Sequence, residues 1–162
     1  MKNAEEVFAT FERDEYYWYG QVAYPFWDGR SLETFIYIDY DITHPTRRQL
    51  LLLDQLVNYE RSIRPEVERA LFDHYQRNIY GSVAESGRMD QWEELTPRVK
   101  SPGEIWNLLG EPSVRIDYIA DHEPDAGVRF RLSYVDCPWD HEHGFGIQMQ
   151  DWKIEEFGGE VG

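Results

Sequence analysis

Residues 32–63 read LETFIYIDYDITHPTRRQLLLLDQLVNYERSI, and the spacing of the apolar residues changes within this stretch. In residues 32–42 the apolar side chains alternate with a period of two, which is typical of a β-strand. Beyond Thr43, which lies at or near an N-cap with Pro45 in the first turn, the spacing is helical. The helical stripe is Leu52, Leu56, Tyr59 and Ile63. The stretch therefore predicts a strand followed directly by an amphipathic helix.

A second strand is predicted upstream of this one. The run YYWYGQVAYP (16–25) is rich in aromatic residues, which favour strands, and Asp28-Gly29 in the connecting FWDGRS signals a tight turn. The two runs therefore predict an antiparallel hairpin. In the second run the period of two divides the side chains between the two faces of the strand. One face carries Thr34, Ile36, Ile38 and Tyr40, and the other carries Phe35, Tyr37 and Asp39.

The helical pattern restarts at Arg64-Pro65, because the residue before a proline disfavours the helical conformation. The run RPEVERALFDHYQRNI (64–79) predicts a second amphipathic helix, closed by Gly81. Its apolar stripe is Val67, Leu71, Tyr75 and Ile79. Residues 82–100 predict a long connection.

The remainder of the chain predicts a third helix and four strands. SPGEIWNLLG (101–110) has a serine, a proline and a glutamate in the order of a helix start, and a glycine at its end. Strands are predicted over four runs: 113–120, 128–137, 146–150 and 152–157. The order β-β-α-α-α-β-β-β-β predicts an α+β fold in a single domain, residues 1–162, with an antiparallel sheet and the helices packed on one face.

The composition predicts an acidic protein with a basic partner. The chain has 31 acidic and 16 basic residues, a net charge of −15. Because lysine and arginine bind phosphate backbones and anionic membranes, we expect neither nucleic acid nor a membrane surface as a partner. An acidic surface steers a basic protein partner towards the domain. The alternative is that the charge serves solubility alone.

We expect a cytoplasmic protein without catalytic residues. No apolar run approaches the roughly 18 residues needed to span a bilayer, the start lacks the layout of a secretory signal, and a single cysteine permits no internal disulfide. The sequence has no nucleophile elbow, phosphate-binding loop or zinc-protease motif. We therefore predict no catalytic residue and no cofactor, and we expect a non-enzymatic protein-binding domain.

Aromatic and acidic residues supply the candidate contacts with that partner. They are predicted to face outward from the first strands or to lie in the turn at 121–125: Tyr17, Tyr19, Tyr37, Asp39, Asp121, Glu123 and Asp125. The alternative assigns the same aromatic rings to the packing of the sheet itself.

The segment DCPWDHEHGFGIQMQ (136–150) concentrates residues that bind metals. Asp140, Glu142 and His143 are candidate ligands, and His141 and His143 have a spacing found in zinc sites. A strand–turn–strand delivers two or three ligands, however, whereas a closed zinc site needs four. Cys137 lies beside acidic residues, which disfavour the reactive thiolate.

The same segment also has the residues of an ordered turn between two strands. The Trp139 ring can cover the core, and the Asp140 side chain can hydrogen-bond the turn backbone. Gly144 and Gly146 permit a positive φ or a close approach of the backbone. The turn residues are Trp139, Asp140, Glu142, His143, Gly144 and Gly146. Two interpretations stay open here: a structural turn, and a metal-binding protein or metal-dependent enzyme centred on 136–146.

The run WDHEHGFGI (139–147) resembles the Trp-Asp-x-Glu-His-Gly-x-Gly hairpin that ends a set of small bacterial domains of unknown function. The helical run 43–76 and the ending WKIEEFGGEVG (152–162) are similar to the helix pair and last strand of those domains. The resemblance makes the six turn residues family positions and leaves His141 on a variable one. Some of these domains resemble immunity proteins beside polymorphic toxins. The resemblance therefore implies an immunity-type protein, and the net charge of −15 makes a basic toxin or another cationic partner its expected target.

Overall fold

The computed structural model describes residues 2–39, 43–80, 96–140 and 142–159. The described strands are β1 (Glu12–Arg13), β2 (Tyr17–Tyr24), β3 (Arg30–Tyr37), β4 (Ser113–Ile116), β5 (Arg129–Tyr134), β6 (Phe145–Gln150) and β7 (Lys153–Gly158). The described α-helices are α1 (Ala4–Phe8), α2 (Arg47–Asn58), α3 (Arg64–His74) and α4 (Ile105–Leu109). A π-helical segment, Tyr75–Tyr80, continues α3, and short 3₁₀ segments lie at Pro25–Trp27 and Pro102–Glu104.

The strands form one sheet in chain order, β1 to β7. Neighbouring strands are antiparallel except β3 and β4, which are parallel because the chain crosses over through the helices between them. The α+β prediction is confirmed and the predicted element order roughly matches the observed one, with a sheet that is mostly rather than wholly antiparallel. The α1 helix and β1, which precede the first predicted strand, were not predicted.

The alternation of side chains along the strands gives the sheet an inner and an outer face. Inner-face side chains such as Ile36, Ile116 and Leu132 are fully buried, and they form one hydrophobic core with Leu53 and Leu56 of α2. The α1 helix joins this core through Phe8. The prediction that the helices pack on one face is confirmed.

The predicted hairpin forms between β2 and β3, in a register that pairs Tyr17 with Tyr37 and Tyr24 with Arg30. Its turn is the 3₁₀ segment Pro25–Trp27 followed by Asp28 and Gly29, which have φ angles of 56° and 73°. Gly29 N–H closes the turn on the carbonyl of Tyr24 at 2.8 Å.

The start of α2 is three residues later than predicted. The N-cap is Thr46 rather than Thr43, since the Thr46 hydroxyl accepts from Gln49 N–H at 3.1 Å and the Gln49 side chain accepts from Thr46 N–H at 3.0 Å. This reciprocal capping box satisfies two terminal groups at once. The helix ends at Asn58, so Tyr59 and Ile63 lie beyond it.

The other boundaries differ by a few residues. The predicted strands 113–120 and 128–137 contract to β4 and β5, and the predicted strand 32–42 ends at Tyr37, with residues 40–42 outside the described part. Most of the predicted connection 82–100 and Gly81 also lie outside it. Ser101 makes no side-chain cap bond, and Glu104 instead accepts from the backbone N–H of Lys100 at 2.8 Å.

Candidate functional site

The outer face of β2 and β3 carries four aromatic rings in mutual contact. The register places Tyr17 opposite Tyr37 and Tyr19 opposite Phe35, so all four project from the same face. Tyr17 is central, and its ring centroid lies 4.8 Å from that of Phe35, 5.8 Å from Tyr37 and 6.1 Å from Tyr19. We call Tyr17, Tyr19, Phe35 and Tyr37 the tyrosine patch.

The tyrosine patch is separate from the hydrophobic core. Its four residues are half-buried, and within the described chain none of them belongs to the core or packs against it. The rings meet edge to face, an arrangement that aromatic pairs prefer. The rings therefore leave aromatic surface in solvent, in an arrangement common at recognition surfaces.

Carboxylates surround the tyrosine patch. Glu12 pairs opposite Tyr19 across β1 and β2, and Glu33 projects from the outer face of β3. Asp14 is fixed in the connection between β1 and β2, where its Oδ1 accepts from the backbone N–H groups of Tyr16 and Tyr17 at 2.8 and 3.1 Å. Three acidic side chains thus lie around the four rings.

The pKa values of two phenols report the resulting field. The pKa of Tyr19 is raised, first by its hydrogen bond with Glu12 and then by the charge of that carboxylate. The pKa of Tyr17 is raised first by burial and then by the charge of Asp14, and Glu33 acts in the same direction on both phenols. The carboxylate charges that disfavour a phenolate here also favour a bound cation, whereas burial disfavours either charge.

One ring of the patch already holds a cation of the chain itself. The Arg115 guanidinium carbon lies 4.7 Å from the Tyr37 ring centroid, and Arg115 Nη2 donates to the Tyr37 hydroxyl. On the adjacent strand Arg131 lies directly opposite Arg115, and its Nε donates to Gln148 Oε1 at 3.1 Å. The outer face therefore passes from an acidic end, at β1 to β3, to a basic centre at β4 and β5.

The structure brings together only some of the predicted partner contacts. Tyr17, Tyr19 and Tyr37 meet in the patch, and the exposed Asp39 lies two residues beyond Tyr37. The loop with Asp121, Glu123 and Asp125 lies instead against the first turn of α2, on the side of the helices. Arg48 of α2 contacts three residues of that loop: Asp121 Oδ1 at 3.2 Å, the Glu123 carbonyl at 2.6 Å and Asp125 Oδ1 at 3.7 Å.

Four patch or rim residues were not among the predicted contacts: Phe35, Glu12, Asp14 and Glu33. The alternation along 32–42 places Phe35 on the same face as Tyr37, so a signal for it was present. No signal marked Glu12, because β1 is only two residues long and too short to show a period.

The predicted turn at 136–146 is held by local hydrogen bonds. Asp140 Oδ1 accepts from His143 N–H at 2.9 Å and lies 3.2 Å from His143 Nδ1, and Gly144, at φ 68°, donates to the Asp140 carbonyl at 2.9 Å. The bond from His143 N–H is the first cause of the lowered pKa of Asp140. The ring centroid of Trp139 lies 5.3 Å from that of Tyr75 and 5.4 Å from that of Phe145, so the three rings pack together.

The other residues of this segment occupy different surroundings. Gly146 lies within β6 opposite Ser133, and Glu142 is exposed. Cys137 is fully buried, and burial is the first cause that raises its thiol pKa to about 11. Among the described residues no group of three or more His, Cys, Asp or Glu side chains is arranged to hold a metal ion, and His141 lies outside them.

Comparison with known proteins gives one match. A family model described as a domain of unknown function (DUF6985) matches residues 7–162. No curated protein and no solved structure matches the chain. Within the described ranges, no helix has the length and apolar character needed to cross a membrane.

Proposed function

Because the chain belongs to the DUF6985 family, whose description names no activity, we propose its function from its surface: it is a non-enzymatic, acidic protein-binding domain that binds a basic protein partner. The observation that carries the proposal is the tyrosine patch with its rim of carboxylates. Lysine and arginine side chains bind aromatic faces through cation–π contacts and bind carboxylates through charge.

Three features of the patch support a cationic partner. The rings of Tyr17 and Tyr19 lie in a negative potential set by Glu12, Asp14 and Glu33. The Tyr37 ring already accepts the guanidinium of Arg115. The net charge of −15 adds long-range attraction for a basic protein, which raises the rate of encounter.

The specific form that we propose is an immunity-type protein that neutralises a basic toxin in the cytoplasm. It rests on the resemblance of residues 139–147 to the closing hairpin of small bacterial domains, some of them immunity-like. Co-expression with basic toxins encoded beside the gene tests this form. Rescue of growth by the wild-type chain supports it, and growth arrest with every such toxin contradicts it.

A binding measurement tests the general proposal. The probe is a fluorescein-labelled decapeptide of alternating arginine and glycine, with the glutamate–glycine decapeptide as its counterpart, followed by anisotropy at 50 and 300 mM NaCl. We expect the intact chain to bind the arginine peptide alone, and more weakly at the higher salt.

Matched variants locate that binding. Glu12→Gln/Glu33→Gln removes two charges beside the patch, whereas Glu60→Gln/Glu142→Gln removes two exposed charges elsewhere and changes the net charge equally. Tyr19→Leu removes a ring, and we expect an affinity loss of about two- to fivefold from the lost cation–π contact. Equal losses in both charge variants, with none for Tyr19→Leu, would contradict binding at the patch.

A further inference from the structure

We infer that the outer face carries a second binding site, specific for a carboxylate group, in a cleft between β3, β4 and β5. The cleft has a volume of about 60 Å³, and we call it the Ser133 cleft. The residues that line it are Tyr17, Phe35, Tyr37, Ser113, Arg115, Ser133 and Val135. The cleft therefore shares three rings with the tyrosine patch, but its polar groups are hydroxyls and a guanidinium rather than carboxylates.

The first observation is the state of Ser133. This residue is 1% exposed, although it projects from the outer face of β5, directly opposite Ser113 of β4. Its Oγ is buried and has no hydrogen-bond partner among the residues that the structure describes. A buried hydroxyl without a partner is destabilising, and a ligand oxygen in the cleft would accept its proton.

The second observation is the positive charge next to this hydroxyl. Arg115 is only 7% exposed, and its contacts with Tyr37 fix its guanidinium at the cleft. Arg131 lies directly opposite Arg115 on the neighbouring strand. The two guanidinium groups place positive charge on this part of the outer face, and positive charge attracts an anion.

A wider cleft of about 250 Å³ continues from the first, since both share Phe35, Ser113, Ser133 and Val135. Its apolar wall includes Leu109 and the 67% exposed Val135. Three carboxylates also line it: Glu33, Glu111 and Asp136. These surroundings suit the apolar body of a monocarboxylate and disfavour a second negative charge.

NMR titration of the intact chain tests the site, with benzoate as the probe and benzamide and inorganic phosphate as controls. We expect saturable shifts with benzoate alone. Ser133→Ala should weaken benzoate binding about tenfold or more, because a hydrogen bond to a charged group is lost. The same variant should unfold at or above the wild-type temperature, since it removes a buried hydroxyl that has no hydrogen bond to lose. Ser31 is exposed and lies on the outer face of β3. The control variant Ser31→Ala should therefore bind benzoate like the wild type.

Two further ligands distinguish the sources of the carboxylate. The ligands are an acetylated tetrapeptide with a free C-terminus and the same peptide as its C-terminal amide. If the free peptide binds more tightly than benzoate and the amide does not bind, the natural ligand is a protein C-terminus. Weaker binding of that peptide than of benzoate points to a small free acid. Benzamide or phosphate binding as tightly as benzoate, or wild-type affinity in Ser133→Ala, overturns the inference. None of these ligands is cationic, so the result is independent of the test of the basic partner.

Discussion

At the scale of single residues, the turn between β6 and β7 places two non-glycine residues at positive φ. Asp151 has a φ of 51° and Trp152 a φ of 69°, values that L-residues adopt at a cost. Side-chain contacts hold them there: Asp151 Oδ1 accepts from Val128 N–H at 3.0 Å, and the Trp152 ring stacks on Tyr59 at 3.7 Å. The sequence predicted a break between strands here, but not the contacts that stabilise it.

His74 gives the protein a pH-dependent residue. Its ring stacks on Phe157 at 4.5 Å and lies 5.5 Å from Phe145, and its Nδ1 lies 3.1 Å from Asn78 Nδ2. Burial is the first cause of the lowered pKa of His74, and the charge of Asp73 partly opposes it. Because the unfolded chain binds the proton more readily, this residue's contribution to stability is present above about pH 6.5 and is lost as the pH falls towards the folded pKa.

We therefore predict that His74→Phe reduces the loss of stability between pH 7.5 and pH 5.5. The phenyl ring keeps the stacking and removes the titrating group. Urea unfolding at the two pH values measures the difference, and the same substitution at the exposed His122 is the control. An unchanged difference in His74→Phe would show that other groups govern the pH dependence.

At the scale of the elements, α2 is tied to the sheet through one side chain. Gln49 is 1% exposed, and its Nε2 donates to the carbonyls of Tyr37 at 2.8 Å and Asp117 at 3.1 Å. Those carbonyls lie just at or beyond the ends of β3 and β4. The residue that completes the capping box thus also fixes the helix against two parallel strands.

We predict that Gln49→Leu lowers the free energy of unfolding by about 2–3 kcal/mol, because it leaves two part-buried carbonyls without a donor and removes the capping-box bond to Thr46 N–H. Gln55→Leu, at an exposed position of the same helix, should stay within about 0.5 kcal/mol of the wild type. Denaturant unfolding measures both variants. Similar stabilities for the two would mean that the carbonyls find other donors.

The period of the sequence predicted which elements form, and tertiary contacts decided where they end. Thr43 and Thr46 are both acceptable caps by residue type, and Gln49 selects Thr46 because its side chain reaches the ends of β3 and β4. The predicted strand 113–120 shortens to four residues because the chain leaves the sheet to contact α2. The α1 helix, five residues long, is too short for a periodic signal.

At the scale of the whole molecule, the candidate sites depend on strand pairing over long distances in the sequence. The hairpin let the sequence place Tyr17, Tyr19 and Tyr37 together, since a tight turn fixes the register. The pairing of β3 with β4 joins residues about 80 positions apart, such as Phe35 and Arg115. No local pattern specifies that register, so the sequence did not bring Arg115, Ser133 and Phe35 into one cleft.

The net charge of −15 is expected to govern the response of stability to salt. Exposed ion pairs such as Arg61–Glu66 and Arg77–Asp73 contribute about 0–1 kcal/mol each, whereas the acidic excess is spread over the surface. Screening should therefore weaken repulsion more than attraction. We predict that the melting temperature rises by a few degrees between 10 and 200 mM NaCl, since each kcal/mol gained in the free energy of unfolding raises it by about 2–4 °C. Calorimetry measures the rise, with KCl as a control for ion identity.

The variant Glu12→Gln/Glu33→Gln should melt at a higher temperature than the wild type at 10 mM NaCl, and its melting temperature should respond less to salt. A melting temperature that falls with added salt would contradict the prediction and show that attractive ion pairs outweigh the excess of carboxylates.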